Sequence, residues 1–209
     1  MAAVVGYILG ALPFGYLVAR AHGVDIFKAG SGNPGATNVK RVLGARAGNT
    51  VFALDALKGL VAAGWPAGYC AVYPLPNALA GSDPEAARLL GLTGVIGAIL
   101  GHSFSVFTRF KGGKGVATAA GGLVFLIPIS CLVGAGVWVV TFFATRYVSL
   151  GSILAAVAVP AASWLLRNPL PLNIVVTIIG LFVIIRHREN LRRLLNGTEN
   201  KFARKPPAG

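Results

Sequence analysis

A chain of 209 residues that is 55% hydrophobic and only 12% charged, with a mean hydropathy of +0.71, has too few polar side chains to cover a soluble domain and reads as an integral membrane protein. Nineteen Lys and Arg against six Asp and Glu give a net charge of +13, which here points to cytoplasmic loops, anionic headgroups or an anionic substrate, and no nucleic-acid motif accompanies it. Cys70 and Cys131 lie in apolar runs with no CxxC and no His nearby, so they read as small core residues and suggest neither a disulfide framework nor a metal site.

A hydrocarbon core of about 30 Å needs roughly 20 apolar residues per helix. Ala2 to Val18 meets this with Arg20 as its boundary, and with no basic n-region it reads as a retained helix, not a cleaved leader. The polar segment Arg20 to Asn49 follows. Thr50 to Tyr73 forms a second expected span, carrying Asp55 and Lys58 on one helical face; such groups pair with each other or face the protein interior. Leu75 to Glu85 is a Pro/Asn/Gly/Asp connection, and Ala86 to Leu100 is a third span. Beyond the polar stretch Gly101 to Thr118, the run Val116 to Thr145 holds no charge and has Pro128 near its middle. Leu150 to Leu166 and Leu172 to Ile185 are two further spans, separated by Arg167-Asn168-Pro169, and a basic tail runs from Arg186 to Gly209.

Charge decides the expected number of spans. If Pro128 splits the uncharged run into two short helices, there are seven spans with the N-terminus outside and the C-terminus cytoplasmic. Sixteen of the nineteen Lys and Arg then fall inside, with only Arg88 and Arg167 outside and Lys58 within a span. Six spans would move Arg146 and the basic tail outside, against the positive-inside bias. The expectation is therefore one all-α membrane domain over 1–209, with three polar stretches on its cytoplasmic side.

The first polar stretch is Gly30 to Asn38, GSGNPGATN, backed by Lys40 and Arg41. Its glycines let backbone N–H groups converge, and Ser31, Asn33, Thr37 and Asn38 add polar side chains, so it reads either as a polar turn or as an oxyanion cradle. The second contains Lys111-Gly112-Gly113-Lys114-Gly115 at the start of an apolar helix, which suits an anion equally well as it suits a membrane-surface anchor. It is not a Walker A loop, because no Ser or Thr follows Lys114. In the third, His187 and Asn190 share a helical face and can bind or deprotonate a hydroxyl. Arg186, Arg188, Arg192 and Arg193 suit headgroup phosphates, with Glu199 as an ion-pair partner. His102, beside Ser103 but in no GxSxG elbow, reads as structural or substrate-lining. Ser149 opens a span and either caps it or faces a phosphate.

Taken together these stretches resemble the bacterial acyl-phosphate-dependent glycerol-3-phosphate acyltransferases, the PlsY family. GSGNxGxTNxxR is matched by Gly30 to Arg41, and GHxFxxFxxFKGGKGVAT by Gly101 to Thr118. HxxNxxRLxxGxE is matched by His187, Asn190, Arg193, Leu194, Gly197 and Glu199. The resemblance implies acyl transfer from acyl phosphate to the sn-1 hydroxyl of glycerol 3-phosphate, giving lysophosphatidic acid and phosphate in the first step of phospholipid synthesis. It implies a bacterial inner-membrane protein with no cofactor and no metal, served by an enzyme that makes acyl phosphate. Ser31, Arg41, Lys114, His187 and Asn190 are then the expected catalytic set. Gly30, Gly32, Asn33, Gly35, Thr37, Asn38, Lys111, Gly112, Gly113, Gly115 and Ser149 are the expected substrate contacts, and Asp55, Lys58 and Glu199 the structural residues. The base is either His187 or the substrate's own phosphate, as proposed for the family. The HxxxxD signature of CoA-using acyltransferases is absent after His22, His102 and His187. A small anion transporter is the main rival, while a CDP-alcohol phosphotransferase would need clustered aspartates where this chain has the isolated Asp25, Asp55 and Asp83.

Overall fold

Pro13 breaks the first apolar run, because a proline inside a helix removes an N–H and clashes with the preceding turn. Two helices result, α1 (Ala2–Ala11) and α2 (Phe14–Ala21), where one uninterrupted span is expected from hydropathy. The computed structural model describes residues 1–72 and 84–202; the connection expected over Leu75 to Glu85, Asp83 within it, and the end of the basic tail lie mainly outside the described residues. The chain groups into two units, Met1–Pro128 and Ile129–Gly209.

The first unit continues with α3 (Ala36–Leu43), α4 (Ala45–Val72), α5 (Pro84–Ser103), a 3-10 turn at Val106–Thr108, and α6 (Val116–Leu126). In a lipid environment helices associate through close packing of small residues. Here α1 lies along α5, and a Cβ on Gly6 or Gly10 would overlap the α5 backbone at Gly94 or Ala98. α4 packs on both α5 and α6, with Gly59 against Thr118 and Gly121 against Ala56. A separate apolar cluster of Ala19, Ile26, Val39, Ala47 and Val51 joins α2, the segment after it, α3 and the start of α4 on either side of the first polar loop.

The second unit contains α7 from Ile129 onward (helix Pro128–Thr145), α8 (Val148–Leu165), α9 (Leu170–Arg186) and α10 (Arg188–Leu195). Ser163 donates to Asn173 Oδ1 at 2.6 Å, and Asn173 Nδ2 donates to the Asn168 carbonyl at 2.7 Å, closing the α8–α9 hairpin. Leu132, Val140, Phe143 and Leu165 are more than two-thirds exposed. So much apolar surface on uncharged helices suits lipid, not water.

All helices and no strand are found among the described residues. Among the described residues four spans are long and apolar enough to cross a bilayer: Ala2–Ala21 through its break, Ala86–Thr108, Pro128–Thr145 and Val148–Leu165. The pair Leu170–Arg186 and Arg188–Leu195, bent by 56°, makes a fifth. The expected split of the uncharged run at Pro128 is present, but α6 has 11 residues, about 16 Å of helix and half of what a hydrocarbon core requires. α4 is 28 residues long, with Asp55 and Lys58 inside it.

Candidate active site

In the first loop, Gly30 (φ +58°) and Gly32 (φ +68°) adopt the left-handed backbone that glycine tolerates. Asn38, in the first turn of α3, is buried and ties the loop together. Its Oδ1 accepts the Ser31 N–H at 2.9 Å and its Nδ2 donates to the Ala29 carbonyl at 2.9 Å. Asn33 Oδ1 accepts the Gly35 N–H at 2.8 Å, setting the entry to α3. Both carboxamides thus hold the loop in shape, a role the sequence did not separate from substrate contact. Ser31 and Arg41 are exposed, and Thr37 is half-buried in the first turn of α3.

The second stretch forms a tight turn before α6. Thr108 Oγ1 donates to the Lys111 carbonyl at 2.5 Å, and the Lys111 N–H returns to the Thr108 carbonyl at 3.1 Å. The Gly113 N–H donates to the His102 carbonyl at 3.1 Å, binding the loop to the end of α5. Gly115 (φ +82°) caps α6. Lys111 is exposed and Lys114 half-buried.

Lys111, Gly112 and Gly113 line a cleft in the first unit together with Asp55, Lys58, His102, Ser105, Thr108 and the Gly10–Gly15 break. The expected Asp55–Lys58 pair is there, Nζ to Oδ1 at 2.8 Å and nearly inaccessible to solvent. Lys58 also donates to the Leu12 carbonyl at 3.0 Å and sits over the Phe14 ring. His102 Nδ1 faces the same Asp55 oxygen at 3.5 Å. No local pattern signals this third partner, since nothing in the sequence joins α5 to α4.

In the second unit His187 is buried at the joint between α9 and α10. Its Nδ1 lies 2.7 Å from the Val183 carbonyl. A carbonyl only accepts, so Nδ1 carries the proton and the neutral ring keeps its lone pair on Nε2. Asn190, one turn on and buried, donates Nδ2 to Glu199 Oε1 at 2.7 Å. Ser149 Oγ donates to the same oxygen at 2.8 Å, and Arg193 Nε donates to Oε2 at 2.7 Å. Enclosure alone would raise the Glu199 carboxyl, but the donors Asn190, Arg193 and Ser149 and the Arg193 charge outweigh it and hold the group below its ordinary range. The expected Glu199–arginine ion pair is therefore found, and the carboxylate gathers Ser149 and Asn190 as well. Arg188 and Glu189 lie 3.9 Å apart on the surface.

Fold and site thus define a class: a multi-pass, all-helical integral membrane protein with glycine-rich, cation-bearing loops at its helix ends. Residues 1–197 match the family model described as glycerol-3-phosphate acyltransferase, and the chain belongs to that family. It is 44% identical to the glycerol-3-phosphate acyltransferase of Geotalea daltonii over 95% of this chain and 94% of that protein. The Geobacter sulfurreducens enzyme of the same name is also 44% identical, with the same coverage. The crystal structure of PlsY (YgiH), an integral membrane glycerol 3-phosphate acyltransferase in its glycerol 3-phosphate form, superposes with a TM-score of 0.84 at 39% identity, over 97% of this chain and 94% of that one. Its lysophosphatidic acid form gives 0.80.

Proposed function

We propose that this chain transfers a fatty acyl group from acyl phosphate to the sn-1 hydroxyl of glycerol 3-phosphate, releasing lysophosphatidic acid and inorganic phosphate. The observation that carries the reading is the match of residues 1–197 to the glycerol-3-phosphate acyltransferase family, together with the likeness to a relative solved in its glycerol 3-phosphate form. Both substrates bear phosphate, and two glycine-rich loops backed by Arg41, Lys111 and Lys114 are suited to such anions. Ser31, Arg41 and Lys114 hold phosphate oxygens, with help from the loop amides of Gly30 to Gly35 and Gly112 to Gly115. His187 and Asn190 orient glycerol 3-phosphate, and Glu199 holds Asn190 and Ser149 in place.

The sn-1 oxygen attacks the acyl carbonyl carbon, the bond from that carbon to the phosphate oxygen breaks, and phosphate leaves. Acyl phosphate is a mixed anhydride with a good leaving group, so orientation and charge neutralisation supply much of the rate. The hydroxyl proton passes to His187 Nε2, a role supported by the Nδ1–Val183 hydrogen bond that fixes the tautomer. All three motifs serve this one reaction, in a single acyltransferase domain.

The proposed setting is the bacterial inner membrane, with seven spans, the N-terminus outside and the three motifs on the cytoplasmic side, where most of the cationic residues fall. An enzyme that produces acyl phosphate supplies the donor. Purified protein given acyl phosphate and glycerol 3-phosphate, without CoA, should form lysophosphatidic acid and phosphate in equal amounts. Phosphate movement across vesicles with no lipid product would identify an anion transporter instead.

A further inference from the structure

His102 meets the glycine loop at two points. Its carbonyl accepts the Gly113 N–H at 3.1 Å, and its ring lies directly over Gly113, where an added Cβ would overlap Nε2. Gly112 is equally crowded, but its obstacle is backbone: a Cβ there would overlap the His102 carbonyl oxygen. On its other edge the His102 ring faces Asp55 Oδ1 at 3.5 Å, and the same oxygen takes Lys58 at 2.8 Å. Lys58 donates to the Leu12 carbonyl at 3.0 Å. A continuous contact chain therefore runs from the α1–α2 break, through Lys58, Asp55 and His102, to the Lys111–Gly115 turn. These groups share the walls of one cleft.

We infer that His102 is a positioning residue for substrate phosphate: held by Asp55 and Lys58, its ring forms the floor against which Gly113 closes, and it sets where the loop's N–H groups point. The inference rests on the reading of this loop as a phosphate site. His102 itself does not exchange a proton with substrate; it acts through the loop. Gly113 has no left-handed φ, and the atoms nearest to an alanine Cβ there all belong to the His102 imidazole. His102→Asn keeps an amide N–H near the position of Nδ1, facing Asp55, and removes the ring edge that lies over Gly113.

The experiment is a set of variants in the full-length detergent-purified enzyme, read by KM for glycerol 3-phosphate, kcat and inhibition by inorganic phosphate. Gly113→Ala and Gly112→Ala should each raise KM by about tenfold or more while kcat moves less, the signature of misplaced binding groups. In the His102→Asn background the Gly113→Ala increase should shrink to about threefold or below, while the Gly112→Ala increase persists, because removing a side chain relieves only the side-chain clash. His102→Ala, which loses the amide as well, should raise KM more than His102→Asn. If Gly113→Ala does not fold alone, recovery of a monodisperse protein in the double variant reads the same suppression.

An undiminished Gly113→Ala defect in the double variant, or equal relief of Gly112→Ala, overturns the positioning role. If neither glycine variant moves KM or phosphate inhibition, the phosphate assignment of the loop itself has failed.

Discussion

Lys58 Nζ, in the middle of α4, donates to the carbonyl of Leu12, the residue at which the first span breaks, at 3.0 Å. Ser105 Oγ takes the neighbouring Ala11 carbonyl at 2.5 Å. A proline break frees backbone acceptors that lipid cannot satisfy, so a side-chain donor from another helix is what allows the discontinuity to persist at this depth. Asp55 in turn balances the lysine charge.

Lys58→Met should therefore be strongly destabilising. It leaves the Asp55 carboxylate with His102 alone and takes the side-chain donor from the Leu12 carbonyl, which keeps only the Phe14 N–H at 3.1 Å; breaking a buried pair from one side costs about 3–5 kcal/mol. The double variant Asp55→Asn with Lys58→Met removes the uncompensated charge and should recover part of that loss. Thermal unfolding in detergent measures both. Equal stability of Lys58→Met and the wild type would remove Lys58 as the cap of the break.

The loop Gly30–Gly35 is predicted to depend on Asn38 in a comparable way, although no ion is involved. Asn38→Ala removes two hydrogen bonds, one from the Ser31 N–H and one to the Ala29 carbonyl, which keeps the Gly32 N–H at 3.0 Å; each such bond contributes about 0.5–1.5 kcal/mol. Asn38→Asp keeps an acceptor for Ser31 but loses the donor to Ala29. The expected order of turnover is wild type, then Asp, then Ala, with stability in the same order. An activity loss in Asn38→Ala with unchanged thermal stability and unchanged proteolysis within Gly30–Gly35 would instead mark Asn38 as a direct substrate contact.

Legibility from sequence followed locality. The Asp55–Lys58 pair was suggested by its spacing, and Glu199 was expected to pair with the nearby arginines, of which the structure selects Arg193. Pro128 signalled a break because the uncharged run was too long for one helix. Pro13 carried the same local signal, yet the run around it has the length of one span, and hydropathy does not register a break whose carbonyls are satisfied from elsewhere. Those donors lie 46 and 94 residues away, as the Ser149 partner of Glu199 lies 50 residues away. Contacts of that kind are made by packing, which no periodicity encodes. For the same reason Asn38 and Asn33 read as ligand groups in sequence, where the loop that they brace has no visible shape.

Glu199 should give the second unit an acid-labile component. Its carboxyl sits below the ordinary value of 4.5 because hydrogen bonds and the Arg193 charge outweigh burial. The ionised form is thus favoured by folding, so its stabilisation is complete above the unfolded-state pKa near 4.5 and is lost as pH falls through the lower folded value. Melting temperature should hold at pH above the ordinary value of 4.5 and drop as pH is lowered below it, towards the folded value. Glu199→Gln should melt lower than the wild type at neutral pH, show a shallower acid dependence, and converge with it at the acid end. Parallel curves for the two proteins would mean that the carboxylate charge is not what holds Ser149, Asn190 and Arg193 together.

The proposed role of His187 as base can be tested through the route of the proton. With Nδ1 donating to Val183 at 2.7 Å, the neutral ring presents Nε2 as acceptor, and a protonated ring would not. If Nε2 takes the hydroxyl proton, kcat should fall on the acid side as the ring becomes protonated. His187→Gln places a carboxamide nitrogen near the position of Nε2 and has no comparable titration. It should lower kcat by about 10²–10⁴-fold, the usual contribution of a positioned base, and abolish that acid limb. Residual activity in which the limb survives unchanged assigns the titration to another group, with substrate phosphate as the base. The two results call for different chemistry at one position, and a single pH–rate profile on each protein separates them.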